Sequence, residues 1–139
     1  MIEETSAGIV IFRKEETKNL FLLLHYPSGH WDFVKGKMEK GETTHQTAIR
    51  EAKEETGITD ITFIENFEEW IGYNFKYQGE LVQKKVVFFL AETKTKEIEI
   101  SHEHSGYTWL DYNSSMEKTT FDNAKTVLTK AQKLLSETL

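Results

Sequence analysis

Residues 36–58 read GKMEKGETTHQTAIREAKEETGI, and this stretch decides the fold. Thr43 followed three residues later by Gln46 is a capping box, which satisfies two otherwise orphaned backbone N–H groups. Residues 44–56 are good helix formers apart from a few threonines, and Gly57 is a natural left-handed stop. The sequence therefore predicts a helix that begins at Thr43 and ends at Gly57. On that helix Glu51, Glu54 and Glu55 stand at i, i+3 and i+4, sharing an arc about 100° wide. Three carboxylates held so close repel one another, and Arg50 neutralises only part of the cluster. A divalent ion compensates better, and Mg²⁺ or Mn²⁺ suits an all-oxygen site. On the helix alone, the competing reading is a solvated face rich in Glu and Lys.

Upstream of this segment, Thr5 to Arg13 contains the apolar run Ala7-Gly8-Ile9-Val10-Ile11-Phe12, and Leu20 to Leu24 is a second. With the polar turn Lys14 to Asn19 between them, they read as two buried or half-buried strands. Pro27-Ser28-Gly29 signals a turn. The short aromatic stretch His30 to Val34 follows, and Lys35 to Glu42 reads as a loop. Downstream, Ile58 to Ile64 is β-branched and apolar and reads as a strand. Glu69 to Tyr77 and Leu81 to Ala91 read as a hairpin turning near Gln78-Gly79. Tyr107 to Leu110 is a short strand. Phe121, Ala124, Leu128, Ala131 and Leu135 recur at helical spacing, an amphipathic C-terminal helix of about four turns. Strands, a helix, more strands and a helix give an α+β fold with a mixed sheet between helices.

The 139 residues fit one domain, 1–139, since domains mostly run to about 100–150 residues. Charged residues are 29% and hydrophobic residues 38%, a globular balance. No cysteine is present, which excludes disulfides, thiolate metal sites and a cysteine nucleophile. No window reaches the roughly 18 apolar residues of a membrane span. The acidic start Met1-Ile2-Glu3-Glu4 is unlike a signal peptide, so the expected location is the cytoplasm. Net charge is −6, which argues against a nucleic-acid partner and leaves open a phosphorylated small molecule held through a metal.

Gly36, Glu42, Arg50, Glu51, Glu54, Glu55, Gly57 and Ile58 fit G-x5-E-x7-R-E-U-x-E-E-x-G-U, where U is a bulky apolar residue. This pattern resembles the signature of the Nudix hydrolases; Ala52 at the first U position is smaller than usual. The resemblance implies an α/β/α sandwich and metal-dependent hydrolysis of a nucleoside diphosphate linked to another moiety. It makes Glu51, Glu54 and Glu55 metal ligands, joined by the backbone carbonyl of Lys35. Arg50 would orient Glu51 through a bidentate ion pair. Gly36 and Gly57 would serve conformation. Glu42 either reaches the metals or braces the loop.

Residues 30–42, HWDFVKGKMEKGE, and 101–110, SHEHSGYTWL, with FEEWIGY (67–73) and KKVVFFLAE (84–92), carry a narrower resemblance. They are similar to the asymmetrically cleaving diadenosine tetraphosphate hydrolases, over nearly the whole chain. That resemblance implies an adenine clamped between Tyr73 and Tyr107, with His30, Lys35, Lys84 and His104 on the polyphosphate. It also brings Glu103 to the metals, as ligand or as general base in competition with Glu54. Val34 stands where that family often has proline. Trp31 and Trp109 are assigned to packing. Zinc at Ser101-His102-Glu103-His104 is set aside, since neighbouring residues on an extended loop rarely share one ion.

The expected reaction cuts diadenosine tetraphosphate to ATP and AMP, in a monomer or weak homodimer. A Nudix pyrophosphatase for nucleoside triphosphates, nucleotide sugars or RNA 5′ ends is the alternative within enzymes. A non-catalytic nucleotide sensor is the alternative outside them, and Glu54→Gln separates the two classes.

Overall fold

Two long apolar runs meet at the centre of the sheet. β1 (Ile2–Glu15) and β7 (Glu80–Glu92) pair in parallel, from Ile2 opposite Val82 to Phe12 opposite Glu92. Such a ladder is covered on both faces, which is why Ile9 to Phe12 and Val86 to Ala91 are continuously apolar and continuously buried. The structure, a computed structural model, describes residues 1–137. β2 (Lys18–His25), β3 (Trp31–Asp32) and β4 (Val34–Lys37) follow β1 in sequence. β2 and β4 pair antiparallel with β1, and β3 with β2. β5 (Thr62–Phe63) and β6 (Glu69–Tyr77) flank β7, and β8 (Gly106–Leu110) pairs with β2.

The two faces of this mixed sheet carry different helices. On one, Val10, Phe12, Phe21, Leu23, Phe88 and Leu90 pack against Ala124, Val127, Leu128, Ala131 and Leu135 of the C-terminal helix. On the other, Ile9, Ile11, Leu22, Leu24, Val87 and Phe89 meet Ala48 and Ala52 of α1 (Thr44–Thr56). The α+β sandwich expected from the sequence is the observed fold. Thr43 caps α1 with the anticipated box, Gln46 N to Thr43 Oγ1 at 3.1 Å and Thr43 N to Gln46 Oε1 at 2.8 Å, and Gly57 closes it at φ 77°. The hairpin turns at Gln78 and Gly79, both at positive φ.

Three segments differ from expectation. Lys35 to Glu42 is not all loop, because Val34–Lys37 forms β4 against Ser6–Ile9. Gly8 permits that approach: a Cβ there would lie against the Val34 carbonyl and 2.9 Å from Phe88. Ile58 to Ile64 contributes only the two residues of β5, since Asp60 is held by side-chain bonds instead. It accepts from Thr93 Oγ1, Lys94 N and Thr95 Oγ1 at 2.5, 2.8 and 2.6 Å. A short helix, α2 (Tyr112–Lys118), precedes α3 (Asp122–Glu137). Only Ser115 of α2 is buried, so it carries no apolar period to read. No helix among the described residues is long and apolar enough to cross a membrane.

Candidate active site

Strand alternation sets the site's geometry at β4. Arg50 Nη2 donates to the Lys37 carbonyl at 2.9 Å, while Met38 N points back to Thr5 of β1 at 3.0 Å. Carbonyls two residues apart point the same way, so the Lys35 carbonyl also faces away from β1, towards α1. Gly36, between them, lies against Glu51. A Cβ at residue 36 would fall on the Glu51 carboxylate. The glycine is required by that close approach, a different reason from the backbone freedom anticipated for it.

Arg50 is the hub. Its Nε and Nη2 donate to Glu42 at 2.6 and 3.0 Å, and its Nη1 donates to Glu51 at 2.8 Å and Glu54 at 3.2 Å. The bidentate pair is thus with Glu42, and Glu51 receives a single bond, a correction to the expected geometry. Glu42 also accepts from Glu39 N and Thr47 Oγ1, so it braces the loop. The Arg50 bonds hold its carboxyl down to about 2.

Glu55 is nearly buried, at 4% exposure. Burial first, then the neighbouring Glu51 with Glu103 and Glu54, pushes its carboxyl up to about 9. His104 Nε2 stands 3.0 Å from Glu55 Oε1, but without hydrogen-bond alignment, and both His104 Nε2 and Glu55 Oε2 lack a hydrogen-bond partner. Burial lowers the His104 pKa, against the opposing pull of Glu103. Glu54 is 57% exposed, and Glu103 sits in the exposed turn before His104.

An unpartnered, buried carboxylate oxygen beside two more carboxylates fits a hard divalent cation. Among the described residues no three acidic or histidine groups already converge as a metal cage. Arg50 Nη1 bridges Glu51 and Glu54, and Glu54 is held at the exposed end of that bridge.

A cavity of about 650 Å³ opens on the α3 face. Tyr26, His30, Asp32, Lys35, Tyr73 and Phe121 line it. Lys35 Nζ donates to the buried Asp32 at 3.0 Å. Tyr26 is the wall between cavity and carboxylates: its ring stacks on His30 at 4.5 Å and meets His104 edge-on at 4.6 Å. Its hydroxyl donates to the Phe33 carbonyl at 2.7 Å. Lys84 lies opposite Tyr73 in the β6–β7 register, half-buried. Burial and the nearby Lys35 depress its ammonium pKa.

The structure does not bring Tyr73 and Tyr107 together. Tyr107 packs with the α1-side core, whereas Tyr73 follows Ile71 on the α3 face. Phe121, 48% exposed, shares the cavity with Tyr73, as do the rings of Tyr26 and His30. The helical stripe had absorbed Phe121 into the core. The signal against that was Asp122, an acidic first-turn residue that starts α3 only after Phe121. His104 lies behind Tyr26, away from the cavity lining. Trp31 packs at the α3-side core under Lys118, and Trp109 Nε1 donates to the Lys96 carbonyl.

Known proteins are similar to this chain along nearly its whole length. The porcine (Sus scrofa) bis(5′-nucleosyl)-tetraphosphatase [asymmetrical] is 34% identical over 94% of this chain and 94% of its own. The Caenorhabditis elegans protein of the same name is 34% identical over 94% and 96%. A crystal structure of a C. elegans Ap4A hydrolase binary complex superposes with a TM-score of 0.82 at 31% identity, covering 96% of this chain and 98% of that one. The NUDIX domain model matches residues 3–131, and the chain belongs to the NUDIX domain family.

Proposed function

We propose that this Nudix hydrolase cleaves dinucleoside tetraphosphates, diadenosine tetraphosphate first, to ATP and AMP. The observation that carries the reading is the cavity shared by Tyr73 and Phe121, with Lys35 in its wall and the carboxylates beyond Tyr26. An adenine between two aromatic faces gains about 1–3 kcal/mol from stacking. The substrates named for the porcine and nematode relatives, alike along nearly the whole chain, support the same class.

In this reading the base enters between Tyr73 and Phe121. Lys35, Lys84 and His30 hold the phosphates, while His104 acts behind Tyr26 by keeping Glu55 in place. Glu51, Glu54, Glu55 and the Lys35 carbonyl hold Mg²⁺ or Mn²⁺, with Glu103 approaching from its turn. A bound divalent ion neutralises phosphate charge and acidifies water. Glu54, exposed beside Arg50, takes the proton from the attacking water as its oxygen bonds to phosphorus and the P–O bond to the leaving nucleotide breaks. Arg50 keeps Glu51 in place through this step. Such an enzyme works in the cytoplasm as a single domain, as a monomer or weak homodimer.

The test is chromatography of the products after incubation with Mg²⁺ and diadenosine tetraphosphate. Equal ATP and AMP are expected, with turnover abolished in Glu54→Gln and KM raised about tenfold in Phe121→Ala. Cleavage of nucleoside triphosphates or nucleotide sugars alone overturns the substrate assignment. Substrate binding with no turnover by the wild type overturns the hydrolase.

A further inference from the structure

β6 continues past the cavity with an aromatic face that the site described above does not use. Strand side chains alternate, so Tyr73, Phe75 and Tyr77 project on one side. They are 40%, 37% and 61% exposed. Ile71, one step back, packs into the α3-side core, and the residues beyond it do not. The Tyr73 and Phe75 ring centroids are 6.1 Å apart, so the platform begins at the cavity rim. At about 3.3 Å per residue, Tyr77 lies roughly 13 Å beyond Tyr73.

Charge complements the platform at one end only. Lys84, opposite Tyr73, is half-buried and has no carboxylate at ion-pair distance among the described residues. The nearby Glu4 carboxylate is engaged by Lys37 at 3.2 Å. Glu80, opposite Tyr77, closes the far end with negative charge. A ligand matching this pattern has anionic groups at the cavity rim and a neutral flat ring farther out, with no phosphate beyond. A continuing nucleic-acid strand would bring its next phosphate onto Glu80.

Resting on the substrate class proposed above, we infer that Phe75 and Tyr77 form the subsite for the second nucleobase. One base occupies the cavity, the polyphosphate passes Lys35 and Lys84, and the distal base stacks on the hairpin. This subsite distinguishes dinucleoside from mononucleoside polyphosphates.

The test compares wild type with a Phe75→Ser/Tyr77→Ser double variant. The readouts are KM and kcat for diadenosine tetraphosphate, and the inhibition constant of adenosine 5′-tetraphosphate, which carries the same phosphates and a single base. The expected result is a KM about tenfold higher for the two-base substrate. kcat, thermal midpoint and the one-base inhibition constant should stay within twofold or a few degrees. An unchanged KM, or an equal rise for both ligands, overturns the inference. A wild-type dimer that becomes a monomer in the variant, seen by light scattering, overturns it in favour of a self-association surface. Loss of binding to a 5′-triphosphorylated oligonucleotide alone overturns it in favour of a strand track. Failure of the parent reading is separately visible, as absence of two-base cleavage by the wild type.

Discussion

Gly36 and Glu55 show how single residues set this site. Because a Cβ at 36 would sit on the Glu51 carboxylate, Gly36→Ala displaces that carboxylate while leaving the β4 ladder intact. Displacements of about 1 Å cost on the order of 100-fold in rate. Gly36→Ala should therefore lose about that much kcat with a thermal midpoint near wild type, checked by kinetics beside a melt. Glu55 sets a pH dependence. Its carboxyl is raised to about 9, so the acid form is favoured in the folded chain. Metal-free stability contributed by this group is then full below the ordinary glutamate range and declines as pH rises from about 4.5 towards 9. A Glu55→Gln variant should flatten that decline in a series of melts without metal. A cation requires the carboxylate, so Mg²⁺ binding at pH 7 should expel a proton. Calorimetry in buffers of different ionisation enthalpy measures it, and a buffer-independent heat would refute it.

At the scale of elements, β4, the loop and α1 act as one unit clasped by Arg50. Arg50→Lys keeps charge but loses the fork to Glu42 and the bond to the Lys37 carbonyl. If Glu51 and Glu54 hold a metal as proposed, activity should fall about 10- to 100-fold, the usual cost of losing a group that orients metal ligands. Apparent metal affinity, measured by titration, should fall with it. The Glu42–Arg50 contribution should persist in mild acid, since it is present above the unfolded carboxylate range and is lost only as pH falls towards about 2. Elements with strong local signals were legible in the sequence. Thr43, Gln46 and Gly57 bounded α1 without tertiary information, and Gln78-Gly79 placed the hairpin turn. β4 was hidden because VKGK has neither alternation nor apolar content, and its place depends on Gly8, twenty-six residues earlier. The cavity on the α3 face was half legible. Tyr73 was found, but its partner depends on which sheet face a residue occupies. Tyr107 and Tyr73 look equivalent in sequence and lie on opposite faces.

At the scale of the whole molecule, the sheet separates two tasks, carboxylates with α1 on one face and the aromatic cavity with α3 on the other. Tyr26 and β4 are the contacts between them. α3 is held by Leu128, fully buried among Phe12, Phe21 and Phe88 neighbours in one core. Leu128→Ala should cost about 2–5 kcal/mol in urea unfolding. Because Phe121 and Ala124 at the start of α3 line the cavity, the same variant should raise KM more than it lowers kcat. The central parallel pair has a further consequence, during synthesis. β1 pairs along its length with residues 82–92, so during synthesis the whole segment between them must emerge before that partner exists. Until then the apolar run from Ala7 to Phe12 has only β2 at one end and the short β4 at the other to pair with, and its second long edge stays open. Nascent chains of this protein are most exposed to misassociation in that interval, and ribosome-associated chaperones have their clearest task there.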